Sequence, residues 1–199
     1  MISNLLSSSL NHVWPTLVII IVTVLASRIS YKLCCKQNIV LYEEFYILLS
    51  VTYLLLLYEL VTRVDYNTLA GGVNIIPFAE ILRYKVSSRL FMLNVIGNIL
   101  LFIPFGLIIS LYVKPKKIYI ATLISFLVSI TIEFVQLNIG RSFDVDDILL
   151  NTIGATFGYF IYKLINKMPI FKKKYINYLI CIGILVIILL YFLKVMGNI

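Results

Sequence analysis

Charge is scarce in this chain. Asp, Glu, Lys and Arg make up 13% of its 199 residues and apolar residues 61%, whereas soluble domains run near a quarter charged. With a mean hydropathy of +1.02, a chain of this length has too little polar surface to cover its apolar residues in water. No polar stretch is longer than a loop, which excludes a separate soluble domain. Histidine occurs once, at His12, without a partner histidine. Of the three cysteines, Cys34 and Cys35 are adjacent and Cys181 lies in an apolar run, so neither a disulfide framework nor a zinc spacing is present, and packing or lipid-facing thiols are the reading for all three. A Gly-rich phosphate loop and a Ser or Cys nucleophile constellation are also missing. The first Lys or Arg is Arg28, so the charged region that opens a cleavable signal peptide is absent and none is expected. What these absences leave is an integral membrane protein, an all-α polytopic bundle.

A helix needs about 20 apolar residues to cross the hydrocarbon core. Six spans are expected, over Leu10–Ser27, Leu41–Leu60, Leu90–Tyr112, Ile118–Asn138, Asp147–Ile165 and Tyr175–Leu193. A further apolar piece, NTLAGGVNIIPFAEIL (67–82), is short and broken by Gly71, Gly72 and Pro77, so a re-entrant or interfacial segment is predicted there. Eleven of the 17 basic residues fall at one set of helix ends with two acids, and six fall at the other set with seven acids. By the positive-inside rule the first set is cytoplasmic and both termini are extracytoplasmic. The two sides then carry +9 and −1, which together make the chain's +8. Topology and anionic cytoplasmic lipid account for this excess, so no nucleic-acid partner is expected.

The few acids are gathered rather than spread. The stretch IEFVQLNIGRSFDVDDILLNTIGATFG (132–158) holds Glu133, Asp144, Asp146 and Asp147, four of the nine acids in the chain. Asp144, Asp147, Asn151, Gly154 and Gly158 follow spacings of 3, 4, 3 and 4, which places them within an arc of roughly 80° on a helix. Asp146 points elsewhere. Asp144 also suits an N-cap, and Asp146 and Asp147 suit the positive end of the helix dipole. Gly154 and Gly158 form a GxxxG pattern that lets another helix approach closely, within the monomer or in a partner. The fourth span carries a matching stripe of Thr122, Ser125, Ser129, Glu133 and Gln136. Glu133 lies about 9 Å below the span's end at Ile139, where an ionisable group is paired, with Arg141 or Arg89 for example, or faces a wet cavity. In the third span Asn94 and Asn98 are one turn apart, above Pro104 and Gly106, where a kink could open a pocket. Asn74, Glu80 and Arg141 fall at the same end. An outward-facing polar pocket is the expectation.

The ordered set Asn74-Ile-Ile-Pro77-Phe78, Asn94-x-x-x-Asn98 leading into Leu101-Phe102-Ile103-Pro104-Phe105-Gly106, Glu133-x-x-Gln136, and Gly140-Arg141 with Asp144-x-x-Asp147-x-x-x-Asn151-x-x-Gly154-x-x-x-Gly158 resembles the VanZ-like family of bacterial membrane proteins. The resemblance covers about residues 50–165, so residues 1–63 read as a two-span extension, 64–166 as the core and 167–199 as a C-terminal helix. It implies a Gram-positive plasma-membrane protein linked to resistance to the lipoglycopeptide teicoplanin, with little effect on vancomycin. Binding of a lipid head group, a lipid-linked cell-wall precursor or the acylated drug, through Asn74, Asn94, Asn98, Glu133, Gln136, Arg141, Asp144, Asp147 and Asn151, is one reading. In it the acids accept hydrogen bonds from hydroxyl or ammonium groups and Arg141 holds a phosphate. A membrane-embedded enzyme on a lipid-linked phosphate or sugar is a second, with Glu133 or Asp147 as general base or the acids holding Mg²⁺. A lipid transporter and a scaffold for cell-envelope proteins are further readings. No resident cofactor or metal is expected.

Overall fold

The computed structural model describes residues 2–62, 72–86 and 88–196, with side chains described between residues 14 and 187 except at residue 172. Helices dominate, as a membrane requires, because a helix satisfies its backbone polar groups within itself. They are α1 (Ile2–Cys34), α2 (Leu41–Thr62), α3 (Ala79–Arg83), α4 (Arg89–Phe91), α5 (Gly97–Val113), α6 (Ile118–Asn138), α7 (Val145–Lys167) and α8 (Lys174–Met196). A π-helical turn over Met92–Ile96 joins α4 to α5, and the three pieces form one span, Arg89–Val113. Among the described residues five segments are long and apolar enough to cross a membrane: Trp14–Cys34, Leu41–Thr62, Arg89–Val113, Ile118–Asn138 and Val145–Lys167. The sixth expected span corresponds to α8, which is 23 residues long. The first of the five segments lies inside α1, which starts at Ile2.

The described part of the segment predicted to be re-entrant or interfacial holds no helix long enough to cross. Residues 67–71 lie outside the described residues. From Gly72 onward the chain forms a two-residue strand, β1 (Val73–Asn74), a turn, and the five-residue α3. β1 pairs in parallel with β2 (Phe143–Asp144), in the register Val73 to Phe143 and Asn74 to Asp144. This two-stranded patch is not foreseen by the sequence, because strands this short carry no periodicity.

The chain packs as two compact units. The larger comprises residues 1–13 and 54–163 and contains the stretch rich in acids. Its framework is a close parallel crossing of α5 and α7. A methyl group added to Gly154 would overlap the Ile99 carbonyl, one on Gly158 the Ile103 carbonyl, and one on Gly106 the Ala155 carbonyl. The glycines of the GxxxG pattern thus face a glycine on α5 within the same chain, and dispersion between backbones replaces the hydrophobic drive that lipid cannot supply. Phe102 and Phe105 of α5 are buried beside this crossing element, with ring centroids 5.6 Å apart. On α7, Tyr159 and Tyr162 are buried with Ala121 of α6.

The second unit comprises residues 14–53 and 164–199. Here the polar groups are ion-paired. Glu44 is 6% exposed and receives the Arg28 Nε at 2.6 Å and the Lys32 Nζ at 2.7 Å. Tyr42 meets Tyr178 edge to face at 5.2 Å, and the Tyr46 hydroxyl donates to Asn177 Oδ1 at 3.4 Å.

Candidate functional site

Three local devices bring the acids together at one end of the larger unit. The first is the end of α6. Gly140 takes a φ of 87°, a left-handed conformation that glycine adopts without steric cost. Arg141 N then donates to Gln136 O at 2.9 Å and Gly140 N to Leu137 O at 3.2 Å, the paired bonds of a Schellman stop. The chain therefore reverses at once and delivers Phe143 and Asp144 alongside α6. The second device is the start of α7. Asp144 Oδ1 accepts from Asp146 N at 2.8 Å, so Asp144 caps the helix as its sequence position suggests. The same oxygen accepts from Asn74 Nδ2 at 3.1 Å, which ties β1 to the cap.

The third device is Asp146, which is 1% exposed. Its two oxygens accept the backbone N–H groups of Phe78, Glu80 and Ile81. These groups open α3, where four N–H groups would otherwise lack partners. Phe78, at φ 68° and ψ 2°, is a left-handed residue with a side chain, a conformation that costs energy unless its surroundings hold it. Asp146 supplies that hold from 68 residues away in sequence. No sequence argument singles out Asp146 as a site residue. The available signal is that three aspartates within four positions cannot all share one helix face.

Glu133, on α6, is as fully buried, at 1% exposure. Its Oε2 accepts the Asp144 N–H at 2.9 Å. The ion pair with Arg141 or Arg89 that its depth suggests is not among those of the described residues, which join Arg28 and Lys32 to Glu43 and Glu44, and Arg83 to Glu80. Arg141 instead donates through Nη1 to Val61 O at 3.1 Å, and Gln136 Nε2 donates to the same carbonyl at 3.0 Å. Together they close the C-terminal end of α2, a favourable place for a cation. One turn into α7, Asp147 accepts from Asn98 Nδ2 at 2.5 Å. One turn deeper still, Asn151 donates to Ser129 Oγ at 3.0 Å. Asn151 Oδ1 is buried without a hydrogen-bond partner among the described residues.

Asp144 lies outside the spans. Burial, the largest influence, pushes its carboxyl above the ordinary aspartate range, and the hydrogen bond from Asp146 N opposes the shift. Among the described residues no group of three or more His, Cys, Asp and Glu side chains has an arrangement that could hold a metal ion.

Nine ligand-binding candidates were expected, and the structure sorts them. Asn98, Glu133, Asp144, Asp147 and Asn151, with Asn74 at the rim, line the facing ends of α5, α6 and α7. Gln136 and Arg141 sit beside them, each with one donor on the Val61 carbonyl of α2. Asn94 is exposed and donates to the Tyr84 hydroxyl at 2.9 Å. It does not share a face with Asn98 because the π-helical turn over Met92–Ile96 closes i→i+5, with Gly97 N on Met92 O, and rotates the residues before it. A sequence read at 3.6 residues per turn misses that insertion.

The family model for VanZ/LLP1 matches residues 13–166, a range that takes in the first two spans as well as the cluster. Protein VanZ of Enterococcus faecium is 29% identical to the chain over 156 residues, covering 72% of this chain and 88% of that protein. No solved structure matches the chain.

Proposed function

This chain belongs to the VanZ/LLP1 family, and from that premise we propose that it lowers susceptibility to the acylated glycopeptide teicoplanin through a polar site at one end of the bundle. The site binds an acylated or lipid-linked ligand, or alters the leaflet on which such ligands rest. One observation carries this reading. Glu133 and Asp147, both within spans, accept hydrogen bonds from a backbone N–H and an amide and belong to no ion pair among the described residues. Asp146 has its oxygens taken by three backbone N–H groups, whereas Glu133 and Asp147 each accept one bond among the described residues, and an intramembrane acid with acceptor capacity left over is suited to a ligand or a pathway.

The selectivity has a physical basis. An acyl chain adds about 0.8 kcal/mol of membrane affinity per buried CH₂, so an acylated drug is concentrated at the membrane surface and a drug without the chain is not. A protein acting within the leaflet changes the first and spares the second. Eleven of the 17 basic residues lie at the opposite helix ends, which supports an extracytoplasmic site, extracytoplasmic termini and residence in the plasma membrane.

The test is susceptibility to teicoplanin, with vancomycin as control, in a Gram-positive host with and without the chain. Wild type should protect selectively, while Glu133→Gln and Asp147→Asn at matched membrane levels should not. Full protection by both variants would remove the polar site from the mechanism.

A further inference from the structure

The surface that covers the polar cluster has two unlike sides. Its inner side is bound to the start of α7: Asp146 takes the N–H groups of Phe78, Glu80 and Ile81, and Asn74 bonds Asp144. Its outer side is apolar and uncovered. Ile75, Ile76, Phe78, Leu82 and Val86 are between 55% and 81% exposed, and α3 buries none of its five residues. Exposed apolar surface of this continuity marks a contact with lipid or with another protein.

Two observations select lipid. First, the exposed apolar residues end at Val86, three positions before the span that begins at Arg89, whose Leu90, Met92 and Leu93 are exposed in the same way. A span's exposed leucines face acyl chains, so the lip continues an interface that the membrane already fills. Second, residues 75–93 carry Arg83, Lys85 and Arg89 against Glu80 alone. Exposed cations alternating with large apolar residues are the composition of segments that lie in the headgroup boundary of anionic membranes.

We infer that residues 75–86 form a lip inserted among the acyl chains of the leaflet at this end of the bundle, with Asp146 as the latch that holds it over the polar cluster. This holds whether or not the cluster's ligand is the one proposed above.

The lip is tested by tryptophan fluorescence on the full chain in vesicles of phosphatidylcholine and phosphatidylglycerol. Trp14 is the chain's one tryptophan, so Trp14→Phe provides a silent background. Leu82→Trp and, as a second reporter, Val86→Trp should be quenched by lipids brominated on the acyl chain to within about twofold of Leu100→Trp, whose parent leucine is exposed on α5. Both should resist aqueous acrylamide. Quenching by acrylamide and not by brominated lipid would place the lip in water and overturn the inference. Protection from both quenchers would also overturn it, by showing that a second copy or another protein covers the lip.

Discussion

Two buried glutamates in this chain are held in opposite ways. Glu44, in the smaller unit, lies between the Arg28 guanidinium and the Lys32 ammonium, each within 2.7 Å. Glu133, in the larger unit, is more deeply buried and receives a single backbone N–H. Both lie in spans, Glu44 in the first turn of α2 and Glu133 five residues inside the end of α6, and charge held away from water carries a penalty in either place. At Glu44 the fold offsets that penalty with two cations, and the result joins α1 to α2. At Glu133 no ion pair is present among the described residues, and the neighbouring charged groups are Asp144, Asp147 and Arg141, the last of which bonds the Val61 carbonyl. A burial map alone would rank the two together. Their partners separate an acid closed in by two cations from one that accepts a single backbone N–H.

The largest break in this contrast comes from Glu44→Leu. It removes the carboxylate that Arg28 and Lys32 share, leaving Lys32 with Glu43 at 3.6 Å, and breaking a buried pair costs about 3–5 kcal/mol. The lower end applies here, because Arg28 keeps some contact with water. Thermal unfolding in detergent should show a lower midpoint, while protection against teicoplanin per folded molecule should persist.

A smaller effect is expected for Asp146→Ala. Three backbone N–H groups lose their acceptor, but the short lip can open locally without unfolding the bundle, so the global midpoint should fall by less than the roughly 3 kcal/mol of Glu44→Leu. The change should appear as faster amide exchange confined to residues 76–86, with Asp146→Asn recovering part of the protection because an amide oxygen still accepts. Unchanged exchange in Asp146→Ala would mean that the latch does not hold the lip.

The smallest stability change belongs to Glu133→Gln. The amide oxygen can still accept the Asp144 N–H, so the midpoint should move by less than about 1 kcal/mol equivalent. Protection against teicoplanin should nevertheless be lost. A large drop in stability for this variant would put Glu133 beside Glu44 as a structural acid and dissolve the contrast.

Much of this arrangement is legible in the sequence, for reasons tied to range. Hydrophobic runs of about 20 residues identify a span whatever its neighbours are, and α2, α6 and α7 begin within two residues of their expected positions. Period 3.6 brings Ser125, Ser129, Glu133 and Gln136 to one face, and all four are buried. The cap at Asp144 is equally local. The π-helical turn that separates Asn94 from Asn98 is local too, yet the residues MLNVI carry no mark of it. Asp146 fails for another reason. Its partners, Phe78, Glu80 and Ile81, lie 65 or more positions away, and a residue that merely leaves one stripe does not announce which backbone it will reach. Arg141 is similar: its charge suggested an anion, and the structure gives it the Val61 carbonyl.

The sequence by itself determined that this chain belongs in a bilayer, where most of its helices lie, which of its acids fall at one end, and that α7 would accept a close neighbour. Those properties follow from composition and from the pitch of a helix, and each is decided within about 20 residues. Only the tertiary structure decided that the neighbour is Gly106 of α5, that Asp146 serves a distant short helix, and that Glu133 takes a backbone N–H while Glu44 takes two cations. Each of these depends on which distant groups arrive at a side chain. In a medium without water, every polar group must take whichever partner arrives.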